Sequence, residues 1–322
     1  MNCIIKIYFK EFIIKNSTPR VLVLLAVYNG KSWLDEQINS IFKQEGISLE
    51  LAISDDNSND GSQAYLKNLI KKKPHSKITF KKKGSGSAGQ NFLSLIRNCN
   101  PSGYDYIAFS DQDDVWLENK LSAGIECIEN APACGYSSST HAFWKSGKEK
   151  LITQSKEIRE LDFLFEGAGQ GCTFILKHDF FSYVQKFCID NESITEKFYY
   201  HDWLVYILAR SNGNDWFFDD RSFIRYRQHA SNDTGARGSV GALKGRLSLI
   251  ANGWYKRQIK VALEISKSSI ESKSDTQEFE KIFYKSDSLR RRLLLVRFFI
   301  SNGRRKTSDR IVLVLSSLLG WI

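Results

Sequence analysis

From Arg20 to Tyr28 the chain reads RVLVLLAVY, an almost unbroken apolar run. A strand buried on both faces has this pattern, whereas a half-exposed strand would alternate. Asn29 and Gly30 end it, and Leu34, Ile38, Ile41 and Phe42 then recur at helical spacing. Leu49 to Ser54 is a second short apolar strand, running into the turn residues DDNSNDGS. A helix is predicted over Ser62 to Lys72 and a third strand over Lys77 to Lys82. The Gly-rich stretch Gly84 to Gly89 leads into a helix carrying Phe92, Leu95 and Ile96. Tyr104 to Ser110 is a fourth strand, ending at DQDDVW. Four strand–helix alternations within about 130 residues predict an α/β fold, with a mostly parallel sheet covered on both faces.

Beyond that point the rhythm changes. Cys134 to Trp144 and Cys172 to Lys177 read as strands, Lys197 to Ala209 as a helix, and Trp216 to Gln228 as a strand pair around a turn. From Gly241 onward helical spacing dominates. Trp254, Ile259, Ala262, Leu263 and Ile265 mark one long helix, and Leu289 to Ile300 a second that is basic and apolar together. No internal repeat appears. The expected organisation is an N-terminal extension over 1–17, an α/β domain over 18–238, and a basic helical extension over 239–322. The last boundary falls in the Gly-rich GARGSVGALKG.

Charge sharpens this division. The 322 residues carry 46 Lys+Arg against 36 Asp+Glu, a formal net charge of +10. Between Lys244 and Arg310 there are 17 Lys/Arg and 7 Asp/Glu, so the remainder holds 29 of each and is neutral. A neutral body with a basic segment argues against a nucleic-acid-coating protein and for one face meeting an anionic partner. Six scattered cysteines, with no CxxC among them, suggest free thiols in a reducing cytosol. Lys6, Lys10, Glu11 and Lys15 break up the N-terminal apolar pieces, so no signal-peptide core is expected. No run approaches the ~20 apolar residues of a spanning helix. Ile311 to Ile322 is too short and contains Ser316 and Ser317.

In open α/β sheets ligands bind outside the carboxyl ends of the strands. Three polar clusters should meet there: Tyr28-Asn29-Gly30, Asp55-Asp56 and Asp111-Gln112-Asp113-Asp114. Each alone is ordinary helix-capping chemistry. Five converging carboxylates, however, call for a cation, and oxygen ligands beside a phosphate favour Mg²⁺ or Mn²⁺. Two other patterns fail. Asp56, Ser58, Asp60 and Gly61 begin like an EF-hand loop, but position twelve is Lys67 instead of Glu. Gly84 to Gly89 matches GxGxxG, yet it follows the third strand, behind Lys81-Lys82-Lys83, and Asp105 lies before a strand instead of at its end.

The ordered pieces VLLAVYNG (23–30), SDDNSNDGS (54–62), GSAGQNF (86–92) and SDQDDVW (110–116), with HDW (201–203) and YRQHASNDTGA (226–236), resemble family 2 glycosyltransferases. These are inverting enzymes of the GT-A fold. SDQDDVW and YRQH are similar to the bacterial rhamnosyltransferase branch. The resemblance spans about residues 20 to 236 and implies a role for each matching position. Ala26 and Tyr28 would line the nucleobase pocket, and Asp56 would accept the pyrimidine imide N–H. Asp111 and Asp113 form the DxD-type pair, with Asp113 on the metal and Asp111 nearer the ribose. Asp202 stands where the family keeps its catalytic base, and His229 where a further metal or diphosphate contact is made. The implied donor is dTDP-rhamnose or a UDP-hexose. The implied acceptor is a lipid-linked surface glycan, reached from the cytoplasmic face of the cell membrane. A noncatalytic sugar-nucleotide-binding protein is the alternative from another class.

That chemistry suits the residue types. A nucleotide leaves only if charge growing on its diphosphate is neutralised. The attacking hydroxyl must lose its proton to a carboxylate within reach. Direct displacement needs no nucleophilic Ser or Cys. Gly167 to Thr173, GAGQGCT, would shape the sugar pocket or form a tight turn. Trp144, Trp203 and Trp216 could stack on sugars or serve the core. LRRRLLLVRFF (289–299) can lie in a membrane interface, its Arg stems snorkelling to phosphates while the rings sink.

Overall fold

The computed structural model describes residues 17–73, 76–154, 157–229, 240–268 and 274–322. The 1–16 segment and the 230–239 stretch, where the expected domain boundary falls, lie outside the described residues. The first half runs β1 (Arg20–Val27), α1 (Lys31–Phe42), β2 (Ser48–Asp55), α2 (Ser62–Lys72), β3 (Lys77–Phe80), α3 (Ala88–Asn98) and β4 (Tyr106–Ser110). Then come β5 (Val115–Trp116), α4 (Lys120–Asn130), β6 (Ala133–Trp144), β7 (Glu149–Ile152), β8 (Ile175–Lys177), α5 (His178–Asp190), α6 (Glu192–Thr195), α7 (His201–Ser211) and β9 (Asp215–Gln228). The helical end comprises α8 (Val240–Ala251), α9 (Trp254–Ser268), α10 (Ser274–Phe283), α11 (Leu289–Asn302) and α12 (Thr307–Leu318).

The strands form one sheet in the order β3-β2-β1-β4-β8-β6-β9-β5, with β7 on β6. The first four are parallel; β8 is antiparallel to β4 and to β6, and β9 runs parallel to β6. The architecture is the α/β one expected: a mixed, mostly parallel sheet with a packed core on each face. β1 explains why its sequence is so apolar. Leu22, Leu24 and Ala26 join the core on one face, and Val21, Val23, Leu25 and Val27 the core on the other. Each fully buried Val or Leu contributes ~1.5–3 kcal/mol.

Chain order on the sheet reverses at β1. β2 and β3 lie to one side and β4 to the other, so the carboxyl ends of β1 and β4 flank a topological switch point. Tyr28 follows one of these strands and Asp111 the other.

Residues 216–228 are one strand, not a pair around a turn. Asp219-Asp220-Arg221 is turn chemistry by composition, but here it is a bulge, and β9 pairs with β6 on both sides of it. Asp219 closes the bulge by accepting from the Arg221 N–H at 2.9 Å and from the Tyr136 hydroxyl at 3.0 Å. Trp203 and Trp216 are buried core residues. Their indole N–H groups donate to Phe163 O (2.7 Å) and Ser137 Oγ (3.0 Å).

The C-terminal helices are built into the same core. Tyr255, Ile259, Leu263, Phe279, Leu295, Phe298 and Phe299 pack with Phe165, Trp203 and Leu204. The expectation that Phe298 and Phe299 reach a membrane is therefore corrected: both are buried, with Phe279 stacked 4.7 Å from Phe298 and Phe165 edge-on 5.1 Å from Phe299. Arg291 is buried too, donating to Ile322 O (2.9 Å) and Phe283 O (3.0 Å). Arg292 is tied to Asp287 at 2.5 Å. Among the four arginines of this helix, Arg290 and Arg297 are exposed.

Arg305 fastens this end to the body. It is buried, 2.9 Å from Asp162 Oδ2, and donates to Gly167 O at 2.6 Å; its backbone N–H donates to Glu166. Burial pushes the Asp162 carboxyl up, and the Arg305 guanidinium draws it back. Arg305→Met should therefore leave Asp162 buried without its guanidinium partner, costing about 3–5 kcal/mol, while Glu166 keeps Arg304 at 3.5 Å and the main-chain N–H of residue 305. Urea denaturation would measure it, and Asp162→Asn in the same chain should recover part of the loss. A loss under about 1 kcal/mol would mean that the ion pair holds nothing together.

Candidate active site

Three segments converge at the switch point. The first is the end of β1. Ala26 is buried opposite Ser54, while Tyr28 is 58% exposed, its ring available to a ligand. The turn after it is fixed from the β2 side. Asn29, at φ +50°, donates its N–H to Ser58 Oγ (2.8 Å), and its Oδ1 accepts the Asn59 N–H (2.9 Å). Asn91 donates at 3.1 Å to Ser54 O and at 3.4 Å to Val27 O, joining the ends of β1 and β2.

The second is the end of β2. Asp56 is buried, and the Ser85 backbone N–H donates to both of its oxygens at 2.9 Å. Ser85 Oγ donates at 2.5 Å, and Lys81 Nζ lies 3.3 Å away. The Gly-rich loop thus serves the carboxylate at the end of β2, and Gly89 is glycine for a different reason: a Cβ there would lie 2.1 Å from Tyr199 O. Each carboxylate oxygen has more than one lone pair, so these bonds are compatible with an imide N–H arriving as well.

The third is the acidic turn after β4. Asp113 Oδ2 lies 2.7 Å from His229 Nε2, across 116 residues of sequence. The imidazole stacks on Trp33, centroids 4.2 Å apart and planes 9° from parallel. Asp111, Asp114 and Cys172 place ligand atoms within 4.8 Å of one another beside this pair. Burial, then the Asp114 and Asp111 carboxylates, push the Cys172 thiol well up. Carboxylates with one imidazole make a hard donor set that suits Mg²⁺ or Mn²⁺. The buried Asp114 Oδ2 also has no hydrogen-bond partner.

Asp114 and Lys120 lie beneath this turn, both essentially inaccessible. Burial, then the Asp113 and Asp111 carboxylates, push Asp114 well above the usual carboxylate range. Burial pulls the Lys120 ammonium down to about 7, with Asp114 opposing. Lys120 Nζ sits 3.8 Å over the Trp116 ring. Asp114 Oδ1 accepts the Arg227 N–H at 3.1 Å, and Arg227 Nε donates to Asp113 O at 2.8 Å. The acidic turn is thereby pinned to β9 close to His229.

Asp202 enters from α7, in the first turn, where the helix dipole favours an anion. Its Oδ1 accepts the Trp203 N–H at 2.7 Å. The neighbouring His201 ring stacks on Phe92 at 3.9 Å and lies 5.6 Å from Phe109, one residue before the end of β4. Burial pulls His201 down to about 3, so it packs as a neutral ring. Gly171 makes room for this turn: a Cβ there would sit 2.8 Å from His201 Nε2 and 3.2 Å from Asp202 Cβ. The small residues of GAGQGCT therefore bring a loop against the HDW turn. Gln112, Asn91, Trp33 and Arg227 were not singled out as individual residues in the sequence. Gln112, Asn91 and Arg227 stand inside SDQDDVW, GSAGQNF and YRQHASNDTGA, whereas Trp33 has no sequence signal beyond its proximity to Gly30.

Comparison with known proteins bears on the family and the fold. Residues 22–190 match the model described as Glycosyl transferase family 2. The chain is 35% identical over 236 residues to the dTDP-rhamnosyl transferase RfbG of Shigella flexneri, covering 73% of this chain and 82% of that one. It is 26% identical over 215 residues to a GalNAc(5)-diNAcBac-PP-undecaprenol beta-1,3-glucosyltransferase of Campylobacter jejuni, covering 65% of each. In fold it is similar to S. aureus TarS 1–349 in complex with UDP-GlcNAc, with a TM-score of 0.57 at 16% identity, covering 94% of this chain and 80% of that one.

Proposed function

Because the chain belongs to glycosyltransferase family 2, we propose that it is an inverting enzyme moving L-rhamnose from dTDP-rhamnose to a lipid-linked bacterial surface polysaccharide. The observation that carries the reading is the meeting of Asp113 and His229 at the switch point, opposite Tyr28 and Asp56. The identity to RfbG supports rhamnose as the sugar. The polyprenol-linked acceptor named for the C. jejuni relative supports the lipid link.

In this reading Tyr28 stacks on the thymine, Ala26 lines its pocket and Asp56 accepts its imide N–H. Asp113 and His229 hold a divalent cation, Mg²⁺ or Mn²⁺, with Asp111 toward the ribose. Such a cation, when bound, neutralises charge growing on the leaving diphosphate. Asp202 takes the proton of the acceptor hydroxyl as that oxygen attacks the anomeric carbon from the face opposite the diphosphate. One displacement inverts that centre.

Melting temperature with each donor tests the sugar and the base. At a hundredfold excess over Kd a true donor should stabilise by ~2.7 kcal/mol. dTDP-rhamnose is expected to shift the transition more than UDP-glucose, and NADH not at all. A larger shift with UDP-glucose would reassign the donor.

The acceptor implies a membrane surface. No helix among the described residues is long and apolar enough to cross one. Leu289, Leu293 and Ile300 on α11, and Ile311, Leu315 and Leu319 along and just past α12, are exposed. With Arg290 and Arg297 they make the surface by which, in this reading, the enzyme rests on the cytoplasmic face of the membrane. Changing both arginines to Gln should weaken co-sedimentation with anionic vesicles about 30-fold, at ~1 kcal/mol per charge, and salt should do the same. Equal, salt-independent binding to neutral vesicles would remove the electrostatic part of the idea.

A further inference from the structure

Pairing between β1 and β4 ends at Leu25 opposite Ser110. Beyond it the two chains part, one toward Tyr28 and the other into the acidic turn. One side chain bridges the opening. Gln112 Oε1 accepts the Tyr28 backbone N–H at 2.8 Å, and Gln112 Nε2 donates to Tyr28 O at 2.9 Å. A primary amide thus pairs with Tyr28 as a strand residue would, carrying the ladder past the point where the backbones diverge. The neighbouring position is shaped to admit it. A Cβ on Gly30 would lie 2.3 Å from Gln112 Oε1 and 2.7 Å from its Cδ. Gly30 has φ −99°, which any residue adopts, so its lack of a side chain reflects space and not backbone conformation. On its other side Gly30 is held by its N–H to Ser62 Oγ at 3.0 Å, so it cannot easily move away.

We propose that Gln112 is a positioning residue that sets the span between the nucleobase wall at Tyr28 and the diphosphate side at Asp113, and that Gly30 is glycine because a side chain there would evict the Gln112 amide. The inference rests on the donor reading above: a nucleoside diphosphate must reach both walls at once, so the distance between them governs its affinity. Both polar atoms of the Gln112 amide are engaged by the Tyr28 main chain, which leaves the chemical step to other groups. Its loss should appear in donor KM and leave kcat within about threefold.

The test is a double-mutant cycle read by calorimetry with dTDP and MnCl₂. Gln112→Ala and Gly30→Ala should each weaken binding about tenfold, the worth of two hydrogen bonds at a half-exposed site. Gly30→Ala added to Gln112→Ala should weaken it no further, because the same two bonds are already gone. Gln112→Glu keeps the acceptor for the Tyr28 N–H but sets a charge against Tyr28 O, and should bind no better than Gln112→Ala. Melting temperatures should stay within a few degrees of wild type, so that a fold defect is recognised. Additive losses in the double variant, or wild-type affinity in Gln112→Ala, would overturn the clamp while leaving the donor reading in place. Failure of the wild type itself to bind dTDP or UDP would overturn that reading and this inference with it.

Discussion

Asp202→Asn should slow sugar transfer by ~10²–10⁴-fold, the usual contribution of a positioned general base, while binding dTDP almost as tightly as wild type. The substitution is conservative in shape. An Asn oxygen can still accept the Trp203 N–H that Asp202 Oδ1 accepts at 2.7 Å. The packing of Gly171 against Asp202 Cβ is unaffected. What disappears is the capacity to take a proton. Turnover with a lipid-linked acceptor gives the first number and calorimetry with the nucleotide the second. If affinity fell as far as turnover, Asp202 would belong to the binding site or the fold instead of the chemistry.

Asp113→Ala should reduce transfer by several kcal/mol of lost charge stabilisation, ~10³-fold or more, and EDTA should silence the wild type until Mn²⁺ or Mg²⁺ is restored. The fold should tolerate the change. Arg227 bonds to the main-chain carbonyl of Asp113, which Ala retains, and His229 keeps its stack on Trp33. Melting with and without MnCl₂ separates the possibilities. The variant should melt near wild type in EDTA and lose the Mn²⁺-dependent part of the dTDP shift. Full activity of the wild type in EDTA would sink the metal-dependent mechanism and leave the fold untouched.

The parallel half of the sheet was legible because strands buried on both faces must be apolar at every position, as β1 is from Val21 to Val27. β9 was not legible as one strand. Asp219-Asp220-Arg221 carries the composition of a turn, and only its pairing with β6 shows it to be a bulge. β5 is two residues long and has no period to detect. The basic helix misled for another reason. Sequence gives the number of arginines but not their partners, and Arg291 answers two carbonyls while Arg305 answers an acid 143 residues away. The candidate site residues came from ordered motifs and not from periodicity. Asp113 and His229 are too far apart in sequence for any spacing rule to join them. Gln112 was hidden between two more conspicuous carboxylates.

The bond network of Arg305 bears on how such enzymes can be recombined. Its partners Asp162, Glu166 and Gly167 sit in the loop that continues to Gly171 and the HDW turn. A C-terminal segment grafted after residue 240 without a cation at the Arg305 position would leave Asp162 buried and Gly167 O without its guanidinium donor. Exchange of acceptor preference by swapping such tails should therefore give misfolded hybrids unless residues 162–167 travel with the tail. The unit of inheritance is then two separated stretches of chain that change hands together.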